Sequence, residues 1–204
     1  MDALEMATAE RTDLADLLET LEPEQWEAPS LCEGWRVRDV VAHVMSFDVG
    51  LMVMARSAVR GRIVHTNQVG VDELALLGTD VLRDELRAHL RPQRLAAVFG
   101  GRLALLDVTV HHQDIRRPLG LPREIPPERL RLVLNSSLRS VELPTWRIVR
   151  GVRLVASDLD WSHGSGPEVR GPAEAMLMAI TGRPCAVGEL TGPGQPVVAG
   201  RLTR

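Results

Sequence analysis

The chain has 204 residues, 45% of them hydrophobic, a formal net charge of −3 and only two cysteines. That length supports one domain, or a main domain with a small companion, and the near-neutral charge excludes a strongly basic binder of nucleic acid or anionic membrane. Two distant cysteines, Cys32 and Cys185, exclude a disulfide framework and fit a reducing cytoplasm.

All 24 basic residues are arginine, the compositional mark of a GC-rich genome. The apolar runs are too short to span a bilayer, and the N-terminus reads as acidic amphipathic sequence with no signal peptide. A cytoplasmic protein is expected.

Helical periodicity governs the first two thirds. Leu4, Ala7, Leu14, Leu18 and Leu21 form one apolar stripe that ends at Pro23. Residues 22–35, with Trp26, Pro29 and Gly34, read as a connection. A second helix is predicted over 36–60, with Val37, Val40, Val41, Val44, Leu51 and Ala55 on its apolar side. A third covers 72–90 and stops at Pro92. The fourth covers 96–117, with Gly100 and Gly101 as a weak point near its start and Arg116, Arg117, Pro118 and Gly120 marking its end. Four amphipathic helices with modest connections predict an antiparallel bundle.

A further helix over 127–140, introduced by Pro126 and Pro127, reads as a bridge out of that bundle. Beyond Leu143 glycine and proline become frequent. Runs prone to β structure at 148–156 and 196–202 flank a short helix predicted over 172–181, and the run Asp160 to Gly166 reads as a hairpin turn anchored by Trp161. The fold class is therefore α+β and mainly α: a helical bundle over residues 1–140 and a small α+β domain over 141–204.

The chemistry concentrates on the fourth helix. Asp107, His111 and Asp114 fall on one side, among Leu103, Ala104, Val110 and Ile115. A buried carboxylate or imidazole is costly unless it is paired or bound to a metal. Two readings stay open. In one, Asp107 and His111, four residues apart, hold a divalent cation with His43 of the second helix as third ligand, leaving an open position. In the other, Asp107 and His111 form a buried hydrogen-bonded pair and His43 is an ordinary partly buried histidine.

Asp114 either orients a ligand from behind or pairs with an arginine at the helix end, the latter preferred. Asp48, on the apolar stripe of the second helix, is a further ligand or a hydrogen-bond acceptor. His112 points about 100° away from His111 and is predicted at the surface with Arg116. Cys32 has no base beside it in sequence and reads as a small buried residue. His65, His89 and His163 read as surface or loop histidines, and no phosphate-binding loop pattern occurs.

Two segments carry a family resemblance: Leu31-Cys-Glu-Gly-Trp-Arg-Val-Arg-Asp-Val-Val-Ala-His43 and Asp107-Val-Thr-Val-His-His-Gln-Asp-Ile-Arg-Arg-Pro-Leu-Gly120. Together they resemble the mycothiol-dependent maleylpyruvate isomerase family, which has many actinobacterial members. The resemblance covers nearly the whole chain and implies a DinB-like metal-binding four-helix bundle followed by a small α+β domain. It implies His43, Asp107 and His111 as ligands of a divalent metal, zinc foremost. It also implies Arg183 as a catalytic residue, matching an arginine that the family uses in its C-terminal domain. The characterised isomerase has glutamate where this chain has Asp107, one methylene shorter.

The resemblance further implies mycothiol as cosubstrate. A thiol deprotonated by the metal's charge would add to an unsaturated diacid, allow bond rotation and leave. Thiol transfer to an electrophile would use the same site without the elimination. The expected function is a metal-dependent, mycothiol-using isomerase or thiol S-transferase, monomeric or homodimeric. The alternative is a metal-binding protein with a structural or regulatory role and no turnover.

Overall fold

The computed structural model describes residues 1–46, 71, 74, 76–93, 97, 100–141 and 143–203. Asp48, His65 and the predicted second helix beyond residue 46 lie outside the described residues. The chain divides into two compact units, Met1–Pro122 and Arg123–Arg204.

In the first unit, α1 (Ala3–Glu19) begins with a reciprocal capping box: Asp2 accepts from the Glu5 backbone N–H, and Glu5 accepts from that of Asp2, both at 2.8 Å. A single turn, α2 (Pro23–Trp26), follows. Helix α3 is described over residues 37–46. Its start is fixed by Asp39, whose carboxylate accepts from the backbone N–H and the guanidinium of Arg36, each at 2.9 Å. Then come α4 (Thr79–Ala88) and α5 (Arg102–Arg116). Helix α5 starts later than its periodicity predicts because Gly100 and Gly101 take φ of 65° and 80°. A Cβ at residue 101 would also stand 2.8 Å from the Cα of Leu4, so glycine is required there on two counts.

Leu14, Leu18, Val37, Val40, Val41, Leu82, Leu86, Val108 and Ile115 meet in one apolar cluster drawn from α1, α3, α4 and α5. Each such side chain contributes on the order of 2 kcal/mol by leaving water. Side-chain pairs give the helix directions. Arg87 meets Asp16 at 2.8 Å and Arg83 meets Glu19 at 3.4 Å, so α4 runs against α1. The Leu31 N–H donates to the Asp114 carbonyl while His43 faces Asp107, so α3 runs against α5. Leu4 beside Gly101 and Glu10 beside His112 set α1 and α5 parallel. Helix α5 thus has a neighbour on each side and buries most of its circumference.

The second unit opens with α6 (Pro127–Ser137), so the helix predicted as a bridge belongs to this unit, and the change of composition near Leu143 falls inside it. Then follow α7 (Thr145–Val149), β1 (Arg153–Ala156), β2 (Ser162–Gly164), β3 (Glu168–Gly171), α8 (Ala173–Ile180), a 3-10 turn (Pro184–Glu189) and α9 (Gln195–Leu202). The sheet order is β2-β1-β3, with β1 antiparallel to β2 and parallel to β3. Every residue of α8 except Glu174 is buried, which makes this helix the core of the unit. The N–H of Ala173 at its start is met by Asp158 at 2.8 Å.

Two predicted strands differ. The run 148–156 divides: Ile148 is buried on α7, Gly151 turns the chain at φ 71°, and only 153–156 form a strand. The run 196–202 is helical, because Pro196 with its fixed φ starts a helix well. The edge of β3 is instead met by Thr191, bonded both ways to Arg170. Trp161 is the anchor predicted, buried with its indole N–H donating to Asn135 of α6 at 3.0 Å. No helix among the described residues is long and apolar enough to cross a membrane.

Candidate metal centre

Helix α5 presents Asp107 and His111 one turn apart, and the antiparallel α3 brings His43 opposite them. The structure therefore gathers the three residues singled out in the sequence. Asp107 Oδ1 stands 3.4 Å from His43 Nε2 and 3.5 Å from His111 Nε2. The two imidazoles meet edge to face, with centroids 4.7 Å apart. One donor atom from each residue lies within 4.8 Å of the other two. A tetrahedral ion with ligands at about 2.1 Å sets neighbouring donors about 3.4 Å apart, which the two spacings from Asp107 Oδ1 match. The side chain of His43 is 6% exposed, that of His111 13% and that of Asp107 18%. The cluster is thus largely buried, with Asp107 and His111 of α5 keeping the greater part of its exposure.

Behind this cluster lies an orienting layer. Asp114, fully buried, places Oδ2 2.9 Å from His111 Nδ1. This is the carboxylate–histidine arrangement that fixes the ring and frees Nε2 for a metal. The Cys32 thiol donates to the same Oδ2 at 3.2 Å and lies 3.6 Å from His111 Nδ1. Cys32 is therefore more than a small filler. It ties the loop before α3 to the end of α5, beside the Leu31 to Asp114 backbone bond of 3.0 Å. Cys32, His111 and Asp114 also form a donor set close enough for a cation, although Asp114 Oδ2 and His111 Nδ1 already bond to each other. The Trp35 ring lies against His43, centroids 5.1 Å apart and tilted 50°.

The charges reinforce this geometry. Burial pushes the Asp107 carboxyl up, but the neighbouring imidazoles of His111 and His43 outweigh it and hold the group well below the usual carboxylate range. Burial lowers His111, and the opposing charge of Asp107, with hydrogen bonds to Asp107, Asp114 and Cys32, holds it well above the usual imidazole value. Without a cation the two form an imidazolium–carboxylate pair. A cation would displace the proton at Nε2, while Nδ1 keeps its own and donates it to Asp114.

His112 corrects the sequence reading. It is fully buried, not at the surface, with Nδ1 2.8 Å from Glu10 of α1, while Nε2 accepts from Arg116 Nε at 2.8 Å. Neighbours on both sides of α5 leave no outward face at this position. The available signal was Glu10, an acid inside the apolar stripe of α1. Arg183 lies in the second unit, just before the 3-10 turn, and donates to the Thr181 carbonyl at 2.7 Å. His89 pairs with Glu85 and His163 is exposed, as expected.

Residues 7–98 match the family described as the Mycothiol maleylpyruvate isomerase N-terminal domain. The match includes Cys32, Trp35 and His43. Among solved structures, a mycothiol-dependent maleylpyruvate isomerase aligns with a TM-score of 0.56 at 14% identity. A histidine-to-alanine mutant of such an isomerase aligns with a TM-score of 0.62 at 15% identity. Each alignment covers 95% of this chain and 92% of the other. At these identities the likeness is one of fold. No curated protein matches the chain in sequence.

Proposed function

We propose, for a chain whose residues 7–98 match the N-terminal domain of the mycothiol maleylpyruvate isomerases, a metal-dependent enzyme that uses mycothiol or a similar low-molecular-weight thiol as cosubstrate, acting as an isomerase or a thiol S-transferase. The observation that carries this reading is the convergence of His43 Nε2, Asp107 Oδ1 and His111 Nε2 at spacings suited to one small cation. Two imidazoles and one carboxylate are a donor set for zinc and its neighbours, and three protein ligands leave a position open.

A divalent cation held there would supply the charge that keeps a thiol as its nucleophilic thiolate at neutral pH. The chain's own residues supply the rest. Asp114 keeps the His111 ring turned so that Nε2 faces Asp107, and Cys32 braces Asp114. Trp35 flanks His43 and limits the angles its ring can take. Asp107 offsets part of the positive charge at the centre. Arg183, assigned by resemblance, is proposed to meet the negative charge of an anionic substrate, to which a guanidinium fork is suited. The setting proposed is the cytoplasm, where Cys32 and Cys185 remain thiols.

The test is activity of the metal-loaded protein in two assays: cis–trans isomerisation of maleylpyruvate, and consumption of mycothiol by a small electrophile. One of the two should require both metal and thiol and fall at least about 100-fold in His111→Ala. Activity in neither assay, or turnover indifferent to metal and thiol, would overturn the reading.

A further inference from the structure

The second unit carries a concave site of its own. Helix α7 is short and presents Trp146 and Arg147 to solvent, with Trp146 60% exposed. Arg150 follows at the turn made by Gly151, whose φ of 71° redirects the chain into β1. From the last turn of α9, Arg201 donates to the carbonyls of Ile148 at 2.8 Å and Arg150 at 2.6 Å. It thereby satisfies the open end of α7 and fixes its own guanidinium beside the other two. These four side chains line a cleft of about 490 Å³, within the size range of small-molecule sites.

The charge around this cleft is unbalanced. Arg36, Arg83, Arg87 and Arg170 each have a carboxylate partner. Among the described residues, no carboxylate pairs with Arg147, Arg150 or Arg201. Three such guanidiniums around one concavity attract an anion even in a chain of net charge −3. The forks of Arg147 and Arg150, and the Nε–Nη2 edge that Arg201 keeps while Nη1 holds the two carbonyls, can take a carboxylate or a phosphate through two parallel hydrogen bonds. The exposed indole adds a flat apolar face, a surface that stacking would remove from water. A nucleic acid would need a longer basic track than three arginines provide.

We propose that Trp146, Arg147, Arg150 and Arg201 form a binding site for a small dianion with a planar unsaturated or aromatic body. The guanidiniums take the charged groups, carboxylate or phosphate, and the indole takes the flat face. All four residues belong to the second unit, so the site stands or falls independently of the metal centre.

Calorimetric titration of the full chain, freed of metal by chelator, tests this with phthalate, AMP and succinate as probes. Phthalate and AMP join charge to a planar ring through carboxylates and a phosphate respectively, whereas succinate has the charge without the ring. At least one planar probe should bind saturably at one per chain, about fivefold or more tighter than succinate, and the tighter of the two identifies the charged group. Arg147→Gln combined with Arg150→Gln should weaken it at least about tenfold. Trp146→Ser should abolish the preference for the planar probe and leave succinate binding as it was. The substituted side chains are exposed, and an unchanged melting temperature would verify the fold. Lack of saturable binding by either planar probe to the unaltered protein would overturn the proposal. So would a double variant that binds as well as wild type, or a Trp146→Ser protein that keeps the preference.

Discussion

His111 uses its two ring nitrogens for different purposes. Nδ1 faces the buried carboxylate of Asp114, and Nε2 faces Asp107 beside His43. Replacing Asp114 by asparagine keeps the shape but removes the charge that orients the ring, so metal affinity should fall about 10- to 100-fold, measured by competition with a chromophoric chelator. Affinity equal to wild type would remove Asp114 from the site. The raised proton affinity of His111 also sets the sign of a pH effect. A cation must displace the Nε2 proton, so affinity should climb as pH rises through and beyond the ordinary imidazole range. The same titration at pH 6, 7 and 8 checks this, and a flat profile would contradict it.

At this scale the sequence was only partly readable. The spacing of Asp107 and His111 on one helix follows from periodicity alone. The part played by His43 needed the motif around it, because a helical wheel leaves it at the edge of its stripe. The bracing of Asp114 by Cys32 joins a loop to a distant helix, and no local pattern encodes such a contact. His112 was misplaced because a wheel assumes one inward face, whereas α5 packs on both sides.

Among the elements, the loop before α3 bears most on the site, since it holds Cys32 and Trp35. Glu27 receives Arg36 and Arg38, each at 2.7 Å, and Asp39 receives the Arg36 backbone and guanidinium, so charged bonds brace the loop against the start of α3. Burial pushes the Asp39 carboxyl up, but its bonds to Arg36 outweigh this and hold it below the usual range. A carboxylate depressed in the folded state contributes stability above its unfolded value, near pH 4, and that contribution disappears as pH falls through the folded value. Asp39→Asn should therefore be about 1–2 kcal/mol less stable at pH 7, with the gap closing below about pH 4. Urea unfolding at pH 7 and pH 3 reads this directly, and a constant gap would show that Asp39 acts by shape and not by charge. The end of α5 was legible in Arg116, Arg117, Pro118 and Gly120. The helical state of 195–202 was not, because its valines favour strands in isolation and the surroundings override them.

For the whole molecule, hydrophobic periodicity gave the long helices of the first unit over its described residues, though not the single turn α2, and the composition change gave the α+β character of the second. The antiparallel arrangement predicted for the four helices holds for α4 against α1 and α3 against α5, whereas α1 and α5 run parallel, because relative direction is a tertiary property that periodicity does not encode. The boundary at 122/123 follows packing, since α6 turns its buried face into the second unit, while the composition shift comes only near Leu143.

The proposed function requires one cation at His43, Asp107 and His111 with a position open to a thiol. X-ray absorption at the edge of the bound metal tests it most directly, with Cys32→Ser as the control for the chain's own sulfur. The expected shell is two imidazole nitrogens and carboxylate or water oxygens, without sulfur in either protein. On addition of mycothiol, one sulfur should enter at about 2.3 Å. A full shell of protein ligands that mycothiol leaves unchanged would contradict it, as would sulfur present beforehand and lost in Cys32→Ser.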